Sequence, residues 1–129
     1  MKRSLAGMSV IELLIVMAVM AILASMLIPN LFAARRTAQD SGTRSFGSQI
    51  YTTINAIMAE DINATVDDFP SDCLENRVFA TPRSGSFEVS DPGDIVTRCE
   101  LRGGEGQNTL VTVEVESING NVYVFGAED

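Results

Sequence analysis

Met8-Ser-Val-Ile-Glu-Leu-Leu-Ile-Val-Met-Ala-Val-Met-Ala-Ile-Leu-Ala-Ser-Met-Leu-Ile28 is a run of 21 residues in which only Ser9, Glu12 and Ser25 are polar. Coiled as a helix at about 1.5 Å per residue it spans roughly 31 Å, close to the roughly 30 Å hydrocarbon core of a bilayer. Leu13 to Met20 is apolar on every side of such a helix, whereas an amphipathic surface helix keeps a polar face. The run reads as a membrane segment. Glu12 lies inside it, and a charged group there costs a few kcal/mol on insertion scales, so such groups are usually functional and paired. The plainer alternative is an interfacial residue whose carboxylate snorkels to water.

Working outward, Lys2 and Arg3 supply the positive flank of a secretory signal peptide. The apolar run is longer than a signal peptide's usual core, however, and no clear small-x-small cleavage site follows it. Arg35 and Arg36 flank the far side, so charge alone leaves the orientation open. Pro29 closes the apolar run; having no backbone N–H, it is expected to kink the helix or mark a joint.

Met1-Lys-Arg-Ser-Leu-Ala-Gly7 followed by Met8-Ser-Val-Ile-Glu12-Leu-Leu resembles the class III signal of type IV prepilins. That signal is a short basic leader ending in Gly, then a hydrophobic residue, then Glu at the fifth position after the cut. The resemblance continues through Ile15 to Ile28 and Pro29-Asn30-Leu31, covering roughly the first 38 residues. It implies cleavage of the Gly7–Met8 bond by prepilin peptidase on the cytoplasmic side, and N-methylation of Met8. It further implies that Glu12 neutralises the new amine of a neighbouring subunit during filament assembly. Two positions depart from the family: Met8 stands where most members have Phe, and Ala21 where Gly is common. The partners implied are other copies of the chain in a helical homopolymer, the inner membrane beforehand, an assembly platform, a motor ATPase and a secretin. The expected location is the bacterial inner membrane for the precursor and then an extracellular pilus on the cell surface.

The pairing has physical grounds of its own. Cleavage would remove Lys2 and Arg3, taking the formal charge from −8 to −10, and would create an α-amine with an unperturbed pKa of roughly 7.7–8.0. A buried carboxylate and a buried ammonium are each unfavourable alone, and the penalty falls when they meet. Pairing between subunits therefore favours one axial register.

Beyond the apolar run, Phe46, Ile50, Ile54 and Ile57 recur at helical spacing, predicting a helix that continues to about Glu60 with a second, amphipathic half. Gly42 and Gly47 are expected to weaken it. Residues 61–85 hold several acids and the breakers Pro70 and Pro82, and read as a connecting loop. Asp61, Asp67, Asp68 and Asp72 lack the ligand spacing and central Gly of an EF-hand, which favours a solvated acidic loop over a calcium site. Asn63-Ala64-Thr65 fits the glycosylation triplet, a pattern common by chance. Four strands follow: Phe87 with Val89; Ile95, Thr97, Cys99 and Leu101 as one face; Val111, Val113 and Val115; and Val122 to Phe125. Asn119-Gly120 is a strong hairpin signal. The expected fold is α+β, a long N-terminal helix packed on a four-stranded antiparallel sheet, which is also the pilin architecture. Its parts are a leader (1–7), a transmembrane and assembly helix (8–30), and an amphipathic half-helix with globular head (31–129).

Cys73 and Cys99 do not form a CxxC pair. Joined, they would staple a small core and pin the connecting loop to the sheet, as befits an exported, oxidising compartment. With no His and two Cys, most zinc, haem and triad chemistry has no residues to use, so neither an enzyme nor a metal or cofactor site is expected. From Thr37 onward, 5 basic residues face 16 acidic ones, a balance of −11 that repels phosphate. Phe32, Phe46 and Tyr51 are accounted for by packing rather than by an electron path. The functions in contention are a structural pilus subunit serving adhesion, motility or DNA uptake; a minor pilin or type II secretion pseudopilin; and a membrane-tethered enzyme or binding domain. The last would need a cleft with converging polar groups.

Overall fold

A computed structural model describes residues 8–104 and 107–126. The chain divides into two units, Met1–Arg35 and Arg36–Asp129. Helix α1 (Val10–Glu60) supplies the described helix of the first unit and opens the second. Pro29 lies inside it, so the Ser25 carbonyl has no amide four residues on to accept from. The helix continues through Pro29 because every other residue of the ladder keeps its donor.

In the second unit, α1 buries Phe46, Ile50, Ile54 and Ile57, the stripe expected from spacing, at 4%, 0%, 0% and 0% exposure. They join Val96, Cys99, Leu101, Val111, Val113 and Val115 in one core. The strands are β1 (Val78–Phe79), β2 (Phe87–Glu88), β3 (Val96–Gly104), β4 (Gln107–Ser117) and β5 (Val122–Gly126). The fold is α+β with antiparallel pairing, but the expected four-stranded sheet is not what forms. Among the described residues the main sheet has three strands, β3-β4-β5, and β2 pairs instead with β1, a strand the sequence pattern does not mark.

The reason lies at the free edge of β3. The Leu101 amide donates to the Ser71 carbonyl at 2.8 Å, and Asp72 bridges Glu100. Cys73 and Cys99 are joined by a disulfide with Cα atoms 5.3 Å apart. The connecting loop thus occupies the edge that another strand would need. β2 is held elsewhere: the Val89 amide donates to Arg77 at 3.0 Å, Arg77 pairs with Asp91 at 2.5 Å, and Phe79 packs its ring 6.3 Å from that of Phe69.

Two further details differ from simple alternation. The β3–β4 register shifts between Val96 and Arg98, a bulge that turns Val96 inward and Thr97 outward. The turn after β4 also differs from a two-residue type I′ loop, which needs positive φ at both central residues. Among the described residues no non-glycine has positive φ, and Gly120 alone in this turn does, at +82°. Gly120 donates to the Ser117 carbonyl, and Ser117 to that of Asn121, both at 2.8 Å. This is a three-residue loop closed by a left-handed glycine.

Candidate functional site

The helix starts on a local device. Ser9 precedes the first helical residue, and its amide donates to Glu12 Oε2 at 2.9 Å. Glu12 therefore occupies the third helical position and reaches back to cap its own helix, one half of a capping box. The Ser9-x-x-Glu12 spacing carries that signature openly in the sequence, but a carboxylate inside an apolar run reads first as a buried charge, which masks it. Met8, the other residue of the expected pair, is described and 69% exposed. Gly7, the expected cleavage residue, lies outside the described residues.

From Met8 to Phe32 every Val, Leu, Ile, Met and Phe side chain is between 49% and 75% exposed. The helix is long and apolar enough to cross a membrane. Among the described residues of its own unit nothing covers this surface, which is far larger than the apolar patches soluble monomers leave in water. Around Pro29, the side chains of Leu27, Ile28, Asn30, Leu31 and Ala34 line a shallow recess that is almost wholly apolar. Pro29 thus sits in a surface suited to lipid tails or to another apolar helix.

Over 39 residues the chain is 59% identical to the type IV wide pilus major component PilA4 of Thermus thermophilus. The chain resembles type IV pilins. The match covers 30% of this chain and 30% of that relative, so the chain aligns with less than a third of the pilin's length. No protein-family model and no solved structure matches the chain. The pilin likeness and the exposed apolar helix agree.

The second unit of this pilin-like chain contains a polar cluster with no periodic mark in the sequence. Asp40, on α1, accepts from Ser117 Oγ at 2.8 Å and Asn119 Nδ2 at 2.9 Å on one oxygen, and from Asn121 Nδ2 at 2.8 Å on the other. Asn119 Nδ2 also lies 3.2 Å from the Arg36 carbonyl and 3.4 Å from Gln39 Oε1. The turn between β4 and β5 is thereby clamped to α1. These bonds, Asn119's foremost, hold the Asp40 carboxyl below the ordinary carboxylate range because they favour its charged form. Only the Asn119-Gly120 turn signal points here; its partner is some 80 residues away in the chain.

The loop acids have local tasks. Asp61 Oδ1 accepts the Asn63 amide, Asp68 Oδ2 the amide and hydroxyl of Thr65, and Asp72 Oδ1 the amides of Leu74 and Glu75. They shape turns, as Asx side chains commonly do. Among the described residues no group of three or more His, Cys, Asp or Glu is placed to hold a metal. On the outer face of the sheet Arg98 pairs with Glu114 at 2.5 Å and with Glu116 and Glu100 at 3.5 Å, while Arg102 pairs with Glu100. An open recess beside α1 is lined by Ser45, Ser48, Gln49, Thr52, Thr53 and Glu88. It offers hydroxyls, an amide and one carboxylate, without the base-activated nucleophile that covalent catalysis requires.

Proposed function

We propose that this chain is a structural subunit of a type IV pilus, polymerising through its N-terminal helix after loss of its leader. The observation that carries the proposal is the uncovered apolar helix with a single carboxylate at its start, in a chain that resembles a pilin named as a major pilus component. In this reading Gly7–Met8 is the processed bond and the Met8 amine pairs with Glu12 of an adjacent copy. Pro29 belongs to the packing surface between helices. The bilayer stores the subunit, and the filament replaces lipid with other copies. Because lipid tails are as apolar as the helix, leaving them yields little hydrophobic gain. Assembly then needs an external energy source, which the motor ATPase and platform of a pilus machine would supply. The role is structural, with no catalytic residue assigned.

The deciding experiment is mass analysis of the mature amino terminus together with electron microscopy of sheared surface material. A chain beginning at methylated Met8 and dominating the filaments is the expected result. A monomer that retains Lys2 and Arg3 would overturn the proposal.

A further inference from the structure

Asn119-Gly120 is the one Asn-Gly pair in the chain. An asparagine in that setting can be attacked by the next residue's backbone nitrogen, and glycine, lacking Cβ, leaves that nitrogen unobstructed. Both residues are exposed at the tip of the β4–β5 turn. The same Asn119 side chain is one of three that tie this turn to Asp40 on α1, with Ser117 and Asn121, and it also reaches Arg36 and Gln39. We propose that Asn119 is a self-modification site whose conversion to an acid removes its own ties to α1 and loosens the β4–β5 turn.

The reaction needs only water. The Gly120 nitrogen forms a bond to Asn119 Cγ and gives up its proton, while the Cγ–Nδ2 bond breaks and its nitrogen leaves as ammonia. The resulting five-membered succinimide is opened by one water molecule, which leaves Asn119 as aspartate or as isoaspartate linked through its side chain. No oxidant or reductant takes part.

In the clamped state this chemistry is held back at both reacting atoms. The Gly120 N–H is engaged with the Ser117 carbonyl at 2.8 Å, and Nδ2 is held at 2.9 Å by Asp40. Reaction therefore proceeds from the open turn, and the clamp sets its rate. The product cannot re-form Asn119's part of the clamp, and the bonds from Ser117 and Asn121 to Asp40 are left to hold the turn against a new like charge. An oxygen replaces the Nδ2 donor opposite the Asp40 carboxylate and the Arg36 carbonyl, so acceptor faces acceptor and anion faces anion. The isoaspartate form also adds a methylene to the backbone, which breaks the closure between the Ser117 amide and the Asn121 carbonyl. Conversion is one-way, so the fraction converted records the age of the subunit.

The test is to hold the purified full chain in detergent at mildly alkaline pH and follow Asn119 by peptide mass mapping. Asn121, followed by the β-branched Val122, lies in the same region and is the internal reference that keeps its amide. Conversion at Asn119 is expected in the native sequence, about tenfold or more faster in Asp40→Ala, whose open turn is more populated. Asp40→Asn, which keeps the side-chain shape, should give an intermediate rate and covers the case in which Asp40→Ala fails to fold. In Asn119→Asp, hydrogen exchange at residues 117–121 should accelerate. An Asn119 amide that persists unchanged, equal rates with and without Asp40, or native exchange protection in Asn119→Asp would each overturn the proposal.

Discussion

The carboxylate of Glu12 accepts the Ser9 amide of its own chain, and in the proposed filament it also meets a cation on a neighbour. Two substitutions separate these roles. Glu12→Gln keeps an oxygen for the Ser9 amide and loses the charge; Glu12→Val loses both. If intersubunit pairing governs assembly, both variants insert and are processed but yield few filaments, as counted in sheared fractions. Normal yield from Glu12→Gln with failure of Glu12→Val would assign the requirement to helix capping. Asp40 gives a pH prediction of definite sign. Its folded pKa lies below the ordinary value, so its contribution is fully present above the unfolded pKa of about 3.9 and fades as pH falls toward the folded value. Asp91, bonded to Arg77, and Glu100, bonded to Arg102, are lowered too and act in the same direction. Thermal midpoints should therefore drop on acidification through that window. In Asp40→Asn the drop should be shallower, and an identical pH profile would contradict the clamp.

At the scale of elements, the two helix glycines show what sequence could and could not reveal. Spacing alone places Phe46, Ile50, Ile54 and Ile57 on the buried face, because burial imposes a 3.6-residue period on any core helix. The same spacing casts Gly42 and Gly47 as weaknesses, since close approach by distant strands leaves no local mark. A Cβ on Gly47 would stand 2.5 Å from the Phe125 ring and 2.7 Å from Val115 Cγ2. A Cβ on Gly42 would meet just the terminal Cδ1 of Ile95, at 2.6 Å. Gly47→Ala should cost about 1–3 kcal/mol of overpacking, outweighing a helix-propensity gain of up to about 1 kcal/mol. Gly42→Ala meets a flexible chain end and should be neutral or stabilising. Thermal unfolding of the pair checks this, and equal midpoints would mean the sheet side chains yield freely at both positions. Strand β1 is silent in the sequence for a related reason: two residues are too short to show alternation, and their pairing is set by Phe79 and Val89 seeking the core. The bulge at Thr97 likewise shifts burial to Val96, which strict period-two reading puts outside.

On the scale of the whole molecule, the two units differ in what they leave exposed, and the apolar run makes this legible in the sequence alone. The first unit leaves its large apolar side chains uncovered; the second buries a small core and adds a covalent staple. A chain lacking residues 1–35 is therefore expected to remain monomeric without detergent, whereas the full chain requires it. That fragment isolates the disulfide's contribution. Cys73 and Cys99 are 26 residues apart in sequence, and closing such a loop restricts the unfolded chain by about 3–4 kcal/mol in the entropy model. For a domain of this size that corresponds to roughly 15–25 °C in thermal midpoint. Cys73→Ala/Cys99→Ala should lower the midpoint by that order and loosen residues 71–73 from β3, as read by hydrogen exchange at Leu101, whose amide donates to Ser71. A small shift with protected Leu101 would mean that the backbone bonds alone hold the loop. A large shift with protected Leu101 would place the effect in the unfolded chain, where the entropy model locates it.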